Sequence, residues 1–222
     1  MRYLMTHSLL SSWLYTMKEN PYEDSTNERD HMAEFMQTLR REPTLTTEAM
    51  QNGIDFEDLV TAILAGKKSY GFYVADKDDP HSGLVPMDIR DNRWYEAAAK
   101  VAGRVRGGVL QYRAYKEITV GGMTVLLHGR LDCLKAGEII DIKFSKSYDQ
   151  GKFYASTQHP MYLELIPEAD RFTYLVSNGS GVWSETYRRD ETRSIVPDIQ
   201  DFFSWLDATQ LMDLYREKWC AK

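Results

Sequence analysis

The stretch 128-HGRLDCLKAGEIIDIKFSKS-147 sets two aspartates and a lysine into a pair of apolar runs. Asp132 lies near the end of the first run, Lys135-Ala136-Gly137 makes a turn, and Asp141 with Lys143 falls inside the second. Charges buried in apolar strands are costly unless something nearby compensates them. Side chains alternate along a strand, so Asp141 and Lys143 share one face while Ile140 and Ile142 take the other. Antiparallel pairing across the turn brings Asp132 and Asp141 within a few ångströms.

Such a face is either a site or a solvated strand surface on which Asp and Lys pair across strands. For a site, two close carboxylates repel, and a hard divalent cation, Mg²⁺ or Mn²⁺, resolves the conflict. It takes carboxylate oxygens and the backbone carbonyl of Ile142. Lys143 is then placed to orient a metal-side water or to stabilise developing charge on a phosphodiester.

Outward from this stretch, strands are expected at 109 to 120, 123 to 134 and 138 to 144, joined by Gly121-Gly122 and Lys135-Ala136-Gly137 into an antiparallel meander. Upstream the chain reads as helical, with apolar residues at helical spacing over 8 to 18, 28 to 41 and 46 to 65. Residues 76 to 90, beginning DKDDPHSG, read as a loop or flap, and 91 to 106 as helix again. Downstream, 151 to 165 reads as helix, with Pro160 marking an irregular start or a kink. A hairpin follows around Asn178 to Gly181, and an amphipathic helix runs from 198 to 218. The fold class is α/β, with a central mixed sheet that contains the meander and is flanked by helices.

A chain of 222 residues with 43% hydrophobic content closes a single domain of ordinary size. Its formal charge of -6 gives no bulk attraction to nucleic acid, so a polyanion would need a local basic patch or bound cations. Cys133 and Cys220 follow no metal or disulfide spacing, no Walker A sequence occurs, and no apolar run reaches the length of a membrane span. The expectation is a cytoplasmic protein with no nucleotide cofactor and no membrane partner.

Asp132, then Asp141-Ile142-Lys143, then Gln158-His-Pro-Met-Tyr162 resembles the PD-(D/E)XK nuclease superfamily, specifically its RecB-type exonuclease branch. Gly53-Ile-Asp-Phe-Glu57 looks like that branch's helical motif. The resemblance runs from Glu57 to about residue 176. It implies a restriction-endonuclease-like core, with 1 to 106 as a mostly helical cover, 107 to 190 as catalytic sheet and crossing helix, and 191 to 222 as a C-terminal helix.

The same resemblance implies metal-dependent DNA phosphodiester hydrolysis, as an exonuclease acting at DNA ends in recombination or repair. Glu57, Asp132 and Asp141, with the Ile142 carbonyl, would hold Mg²⁺ or Mn²⁺, and Lys143 would be the catalytic lysine. Gln158 and Tyr162, on one helical face, would position the strand. Lys146 and Lys152 flank the site as candidate phosphate contacts, with Arg104, Arg106 and Arg130 in a groove and Tyr148, Phe153 and Tyr154 as stacking groups.

Leu131 stands where the superfamily's proline would precede Asp132, and two cysteines exclude the iron-sulfur cluster that some members carry. Small stand-alone versions occur in phages and prophages, beside a recombinase or single-strand annealing protein, and a homo-oligomer closed around DNA is a further expectation. The alternatives are a structure-specific or nicking endonuclease and a non-catalytic nucleic-acid-binding subunit. His7 lies in a helix and is read as a polar or capping residue, the alternative being that it approaches the site, and Cys133 is read as a buried thiol.

Overall fold

A computed structural model describes residues 1–17, 30–74, 78 and 83–221. β1 (Arg2–Thr6) leads directly into α1 (His7–Thr16), whose first turn is closed by Thr6 Oγ1 accepting from the Leu9 amide at 3.2 Å. Asp30 caps α2 (His31–Arg40) and Thr47 caps α3 (Glu48–Leu64) in the same way. β2 (Ser69–Val74) and β3 (Leu84–Asp88) pair as a small separate sheet ahead of α4 (Tyr95–Val105). The meander follows as β4 (Val109–Val120), β5 (Met123–Lys135) and β6 (Glu138–Phe144). Then come α5 (Gln158–Leu165), the hairpin β7 (Arg171–Ser177) and β8 (Val182–Arg188), α6 (Val196–Ala208), α7 (Met212–Lys218) and β9 (Cys220–Ala221).

The main sheet runs β8-β7-β6-β5-β1-β9, with β4 on the other edge of β5. β6 and β7 are parallel, linked through α5, as are β1 and β5; the remaining pairs are antiparallel. Alternation sorts the strand side chains into two cores. Ile139, Phe172, Tyr174 and Val176 pack with α1, α2, α5, α6 and α7, whereas Ile140 and Leu175 pack with α3 and α4. The result is a mixed α/β fold with helices on both faces of a central mixed sheet.

Several elements depart from the sequence reading. Residues 2–6, read within a helical region, form β1, because pairing with β5 across the chain gives this short apolar run its partner. The segment read as loop contains β3 and a 3₁₀ turn at Ile89–Asp91; residues 75–77 and 79–82 of it lie outside the described residues, as do 18–29 of the helical region. Helix over 151 to 165 shrinks to α5. Gly151 sits at φ 89° and turns lead up to Gln158, so Pro160 falls in the first helical turn, where its missing N–H costs nothing. The C-terminal helix is two helices, broken where Gln210 adopts φ 60°.

One irregularity positions everything functional. Along a single edge of β5, β1 pairs with residues 124–128 and β6 with residues 133–135, leaving 129–132 without a strand on that side. The ladder between β5 and β6 stops at Cys133 and Ile140, and the strands part there. On the opposite edge β4 pairs with β5 on both sides of Gln111 and Asp132 but not between them, and Gln111 stands at φ 52°. Across this point the facing of β5 slips by one residue: Leu131 belongs to one core and Cys133 to the other.

Candidate active site

Asp132 fills the opening where β5 and β6 part. Its Oδ2 accepts from the Ile142 amide at 2.8 Å, so a side chain substitutes for the missing strand bond. Asp141, 4% exposed, faces the α5 side of the sheet, where Gln158 Nε2 donates to Oδ1 at 2.5 Å. Its Oδ2 is buried without an aligned hydrogen bond and makes an electrostatic contact with Lys143 Nζ at 2.9 Å. Period-two alternation therefore delivers Asp141 and Lys143 together.

Glu57 comes from α3, in the layer on the other face, and meets this group where the strands have separated. Burial raises its carboxyl above the ordinary range against the opposing pull of Arg130 and a hydrogen bond from Gln111 Nε2. Burial likewise lifts the Asp132 carboxyl far above the carboxylate range, and the charges of Asp141 and Glu57 lift it further. Burial alone would depress the Lys143 ammonium, but the charge of Asp141, with Asp132 and Glu57 behind it, outweighs that and holds it above the usual lysine value. The cluster holds more negative charge than its own cation neutralises.

The Gln158 and Tyr162 pair shares one face of α5 as expected. Tyr162 lies on Gly129, donates to the Arg130 carbonyl at 3.3 Å, and is pushed up to about 12 by burial and then by Asp141 and Asp132. A Cβ on Gly129 would stand 2.6 Å from Tyr162 Cε1 and 2.9 Å from Leu165 Cδ1, so glycine is what lets α5 approach the sheet here.

No family model matches the chain, and no curated protein does. Among solved structures the fold is similar to that of the protein in "Crystal structure of SSO0001", with a TM-score of 0.41 and 18% identity over 54% of this chain and 60% of that one. The chain thus spans less than two thirds of that protein.

A cleft of 530 Å³ opens beside the cluster, lined by His7, Lys143, Lys152, Thr157, Gln158 and Arg193 among others. His7 lines this cleft, the less favoured of the two roles expected for it; the cap is Thr6. Its Nδ1 lies 3.1 Å from Thr157 Oγ1, and burial with the Lys143 charge depresses it to about 3, so it is neutral near pH 7. β1 ends at Thr6 beside the gap in β5, which is why the next residue reaches the cleft. Only the long-range pairing of β1, which leaves no local trace in sequence, reveals this.

The two flanking lysines diverge. Lys152 lines the cleft while donating to Ser145 Oγ at 2.8 Å and the Ser147 carbonyl at 3.1 Å. Lys146 lines a separate cavity of 260 Å³ with Asn52 and Phe144. Arg130 is exposed beside Glu57, whereas Arg104 pairs with Glu138 at 3.8 Å, away from the cluster. Tyr148 and Phe153 pack against the core, and Tyr154 is left exposed. His159 is buried against Tyr174 and Tyr187, and His128 stacks on Tyr115 across β4 and β5.

Among the described residues, no three His, Cys, Asp or Glu side chains stand as a ready ligand set for a metal ion. Each expected ligand is engaged separately: Asp132 with the Ile142 amide, Asp141 with Gln158 and Lys143, and Glu57 with Gln111. No helix among the described residues is long and apolar enough to cross a membrane.

Proposed function

We propose that this protein is a metal-dependent deoxyribonuclease of the PD-(D/E)XK kind, with a restriction-endonuclease-like core, acting at DNA ends. One observation carries the reading: Asp132, Asp141 and Lys143, with Gln158 from the following helix and Glu57 from the preceding one, gather where β5 and β6 part, in the order the resemblance requires.

The donor set suits Mg²⁺ or Mn²⁺ in its chemistry. Asp141 Oδ2 is a buried oxygen that faces Lys143 Nζ at 2.9 Å without an aligned hydrogen bond, and Asp132 is pushed toward its protonated form first by burial and then by the charges of Asp141 and Glu57. Asp132 and Asp141 would hold the ion with the Ile142 carbonyl, Glu57 completing the set. When bound, such an ion lowers the pKa of a coordinated water and draws charge from a phosphodiester oxygen.

The chain's own residues do the remaining work. Lys143, kept cationic by its carboxylate neighbours, faces the cleft and offsets charge that accumulates on the phosphate during attack. Gln158 fixes the rotamer of Asp141, and Tyr162 fixes the helix that carries Gln158. His7, being neutral, adds no cation at the cleft wall. At the cleft wall Lys152 adds to Lys143 the positive charge that a phosphate backbone seeks, while Arg193 is paired there with Asp198 at 2.6 Å.

End-labelled linear DNA and a closed circle, each with Mg²⁺, Mn²⁺ or EDTA, test this beside Lys143→Ala. Metal-dependent loss of the linear substrate alone, abolished in K143A, is the expected result. Cleavage of the circle reassigns the protein as an endonuclease. Binding without cleavage makes it a nucleic-acid-binding subunit, and neither activity removes the reading.

A further inference from the structure

Gln111, the third residue of the twelve-residue strand β4, has a left-handed backbone, φ 52°. Glutamine has no special tolerance for that region, and a strand interior does not call for it. The conformation lies opposite Asp132, at the one position where β4 and β5 skip a pair, and it coincides with the slip that sends Leu131 and Cys133 into different cores. Its side chain spans to α3 and donates from Nε2 to Glu57 Oε1. A single residue therefore joins the irregular strand that presents Asp132 to the helix that presents Glu57.

Unusual backbone of this kind survives where surrounding structure imposes it, and it gathers at working sites. Were the distortion only a packing accident, the side chain at that position would have no reason to end on an acidic residue from the opposite layer. We infer that Gln111 is a positioning residue: its left-handed backbone sends the side chain from β4 to α3, where it holds the Glu57 carboxylate toward Asp132 and Asp141.

This inference rests on the nuclease reading, because only there does the placement of Glu57 have a chemical consequence. It does not touch the scissile bond itself. It states that the third carboxylate is aimed by β4 and not by its own helix alone.

The test uses the full chain with Gln111→Gly, which accepts φ 52° freely and lacks the amide, and Gln111→Asn, which tolerates that backbone and keeps a shorter amide. Mn²⁺ binding is followed by titration calorimetry, and cleavage of end-labelled linear DNA gives kcat and KM. Expected for Q111G are a Tm equal to or above the parent's, a Mn²⁺ dissociation constant weakened at least fivefold and kcat lowered at least tenfold. KM for DNA should move less than threefold, and Q111N should recover part of both losses. The effects of Q111G and Glu57→Ala should not add, because each removes the same contact.

Parent-like Mn²⁺ binding and kcat in Q111G, with the parent enzyme active, overturn the role of Gln111 and leave the nuclease reading intact. Additive losses with Glu57→Ala do the same, since they separate the two residues. A parent protein that neither binds Mn²⁺ nor cuts DNA overturns the nuclease reading and this inference with it. Should Q111G fail to fold, Q111N decides the matter on the same measurements.

Discussion

Replacing Gly129 with alanine should loosen the site without touching a charged group. The added Cβ would lie 2.6 Å from Tyr162 Cε1, so restoring ordinary contact requires α5 to retreat by about 0.8 Å. Tyr162 cannot swing aside freely, because its ring is packed against Phe172 and its hydroxyl is tied to the Arg130 carbonyl. Leu165 Cδ1, at 2.9 Å, blocks the other direction. Overpacking of this kind costs about 2 kcal/mol, which for a chain of this length lowers Tm by about 4 to 8 °C.

Gln158 lies one turn before Tyr162 on the same helix, so its 2.5 Å bond to Asp141 would lengthen by a similar amount, to about 3.3 Å, and weaken. A displacement of that order at a catalytic group lowers turnover by about 10²-fold. Thermal melts with and without Tyr162→Leu measure the first effect, since the smaller side chain makes room and the double variant should be about 1 kcal/mol more stable than the summed single losses. Cleavage of end-labelled DNA measures the second. A G129A protein that melts with the parent, or losses that simply add, would show that α5 does not depend on this contact.

Two buried groups should give opposite pH slopes. The raised carboxyl of Asp132 makes the native state gain stability as pH falls from the raised folded value toward the ordinary carboxylate range. The depressed imidazole of His7 makes it lose stability as pH falls from 6.5 to about 3, each at about 1.4 kcal/mol per unit. Between about pH 6.5 and 4 the two nearly cancel, so in EDTA-containing buffer Asp132→Asn should become acid-sensitive and His7→Gln should grow more stable on acidification; parallel profiles for parent and both variants would refute the assignment. Glu185 accepts from Tyr148 Oη at 2.7 Å, the Gly151 amide at 3.1 Å, the Phe153 amide at 3.2 Å and Tyr187 Oη, so it clamps the loop that carries Lys152. Glu185→Ala should cost about 3 kcal/mol and speed tryptic cleavage after Lys152; an unchanged digestion rate would show that the loop is held elsewhere.

Local pattern carried the meander, the β7 and β8 hairpin and the helices α1 to α4 to within a few residues, because each rests on periodicity and on turn residues next to one another in the chain. The nearness of Asp132 and Asp141 is legible for the same reason, since they stand nine residues apart across a tight turn. What sequence could not disclose was the way β5 divides one edge between β1 and β6. That division depends on Arg2 to Thr6 finding residues 124 to 128, a contact with no local signature. With it went the location of His7. Gln111 was invisible for a different cause, since nothing about a glutamine in an alternating strand announces a left-handed backbone; only its missing partner opposite Asp132 does.

The division of β5 also orders events in time. β1 leaves the ribosome about 120 residues ahead of the strand it must join, a wait of roughly 6 to 24 seconds at ordinary synthesis rates. Until then the apolar face of Arg2–Thr6 has no sheet, and His7 has no cleft to line. Contacts this distant in the chain are slow to close. Glu57 likewise precedes Asp132 and Asp141 by more than 70 residues, so the three carboxylates cannot meet until more than half of the chain has been made.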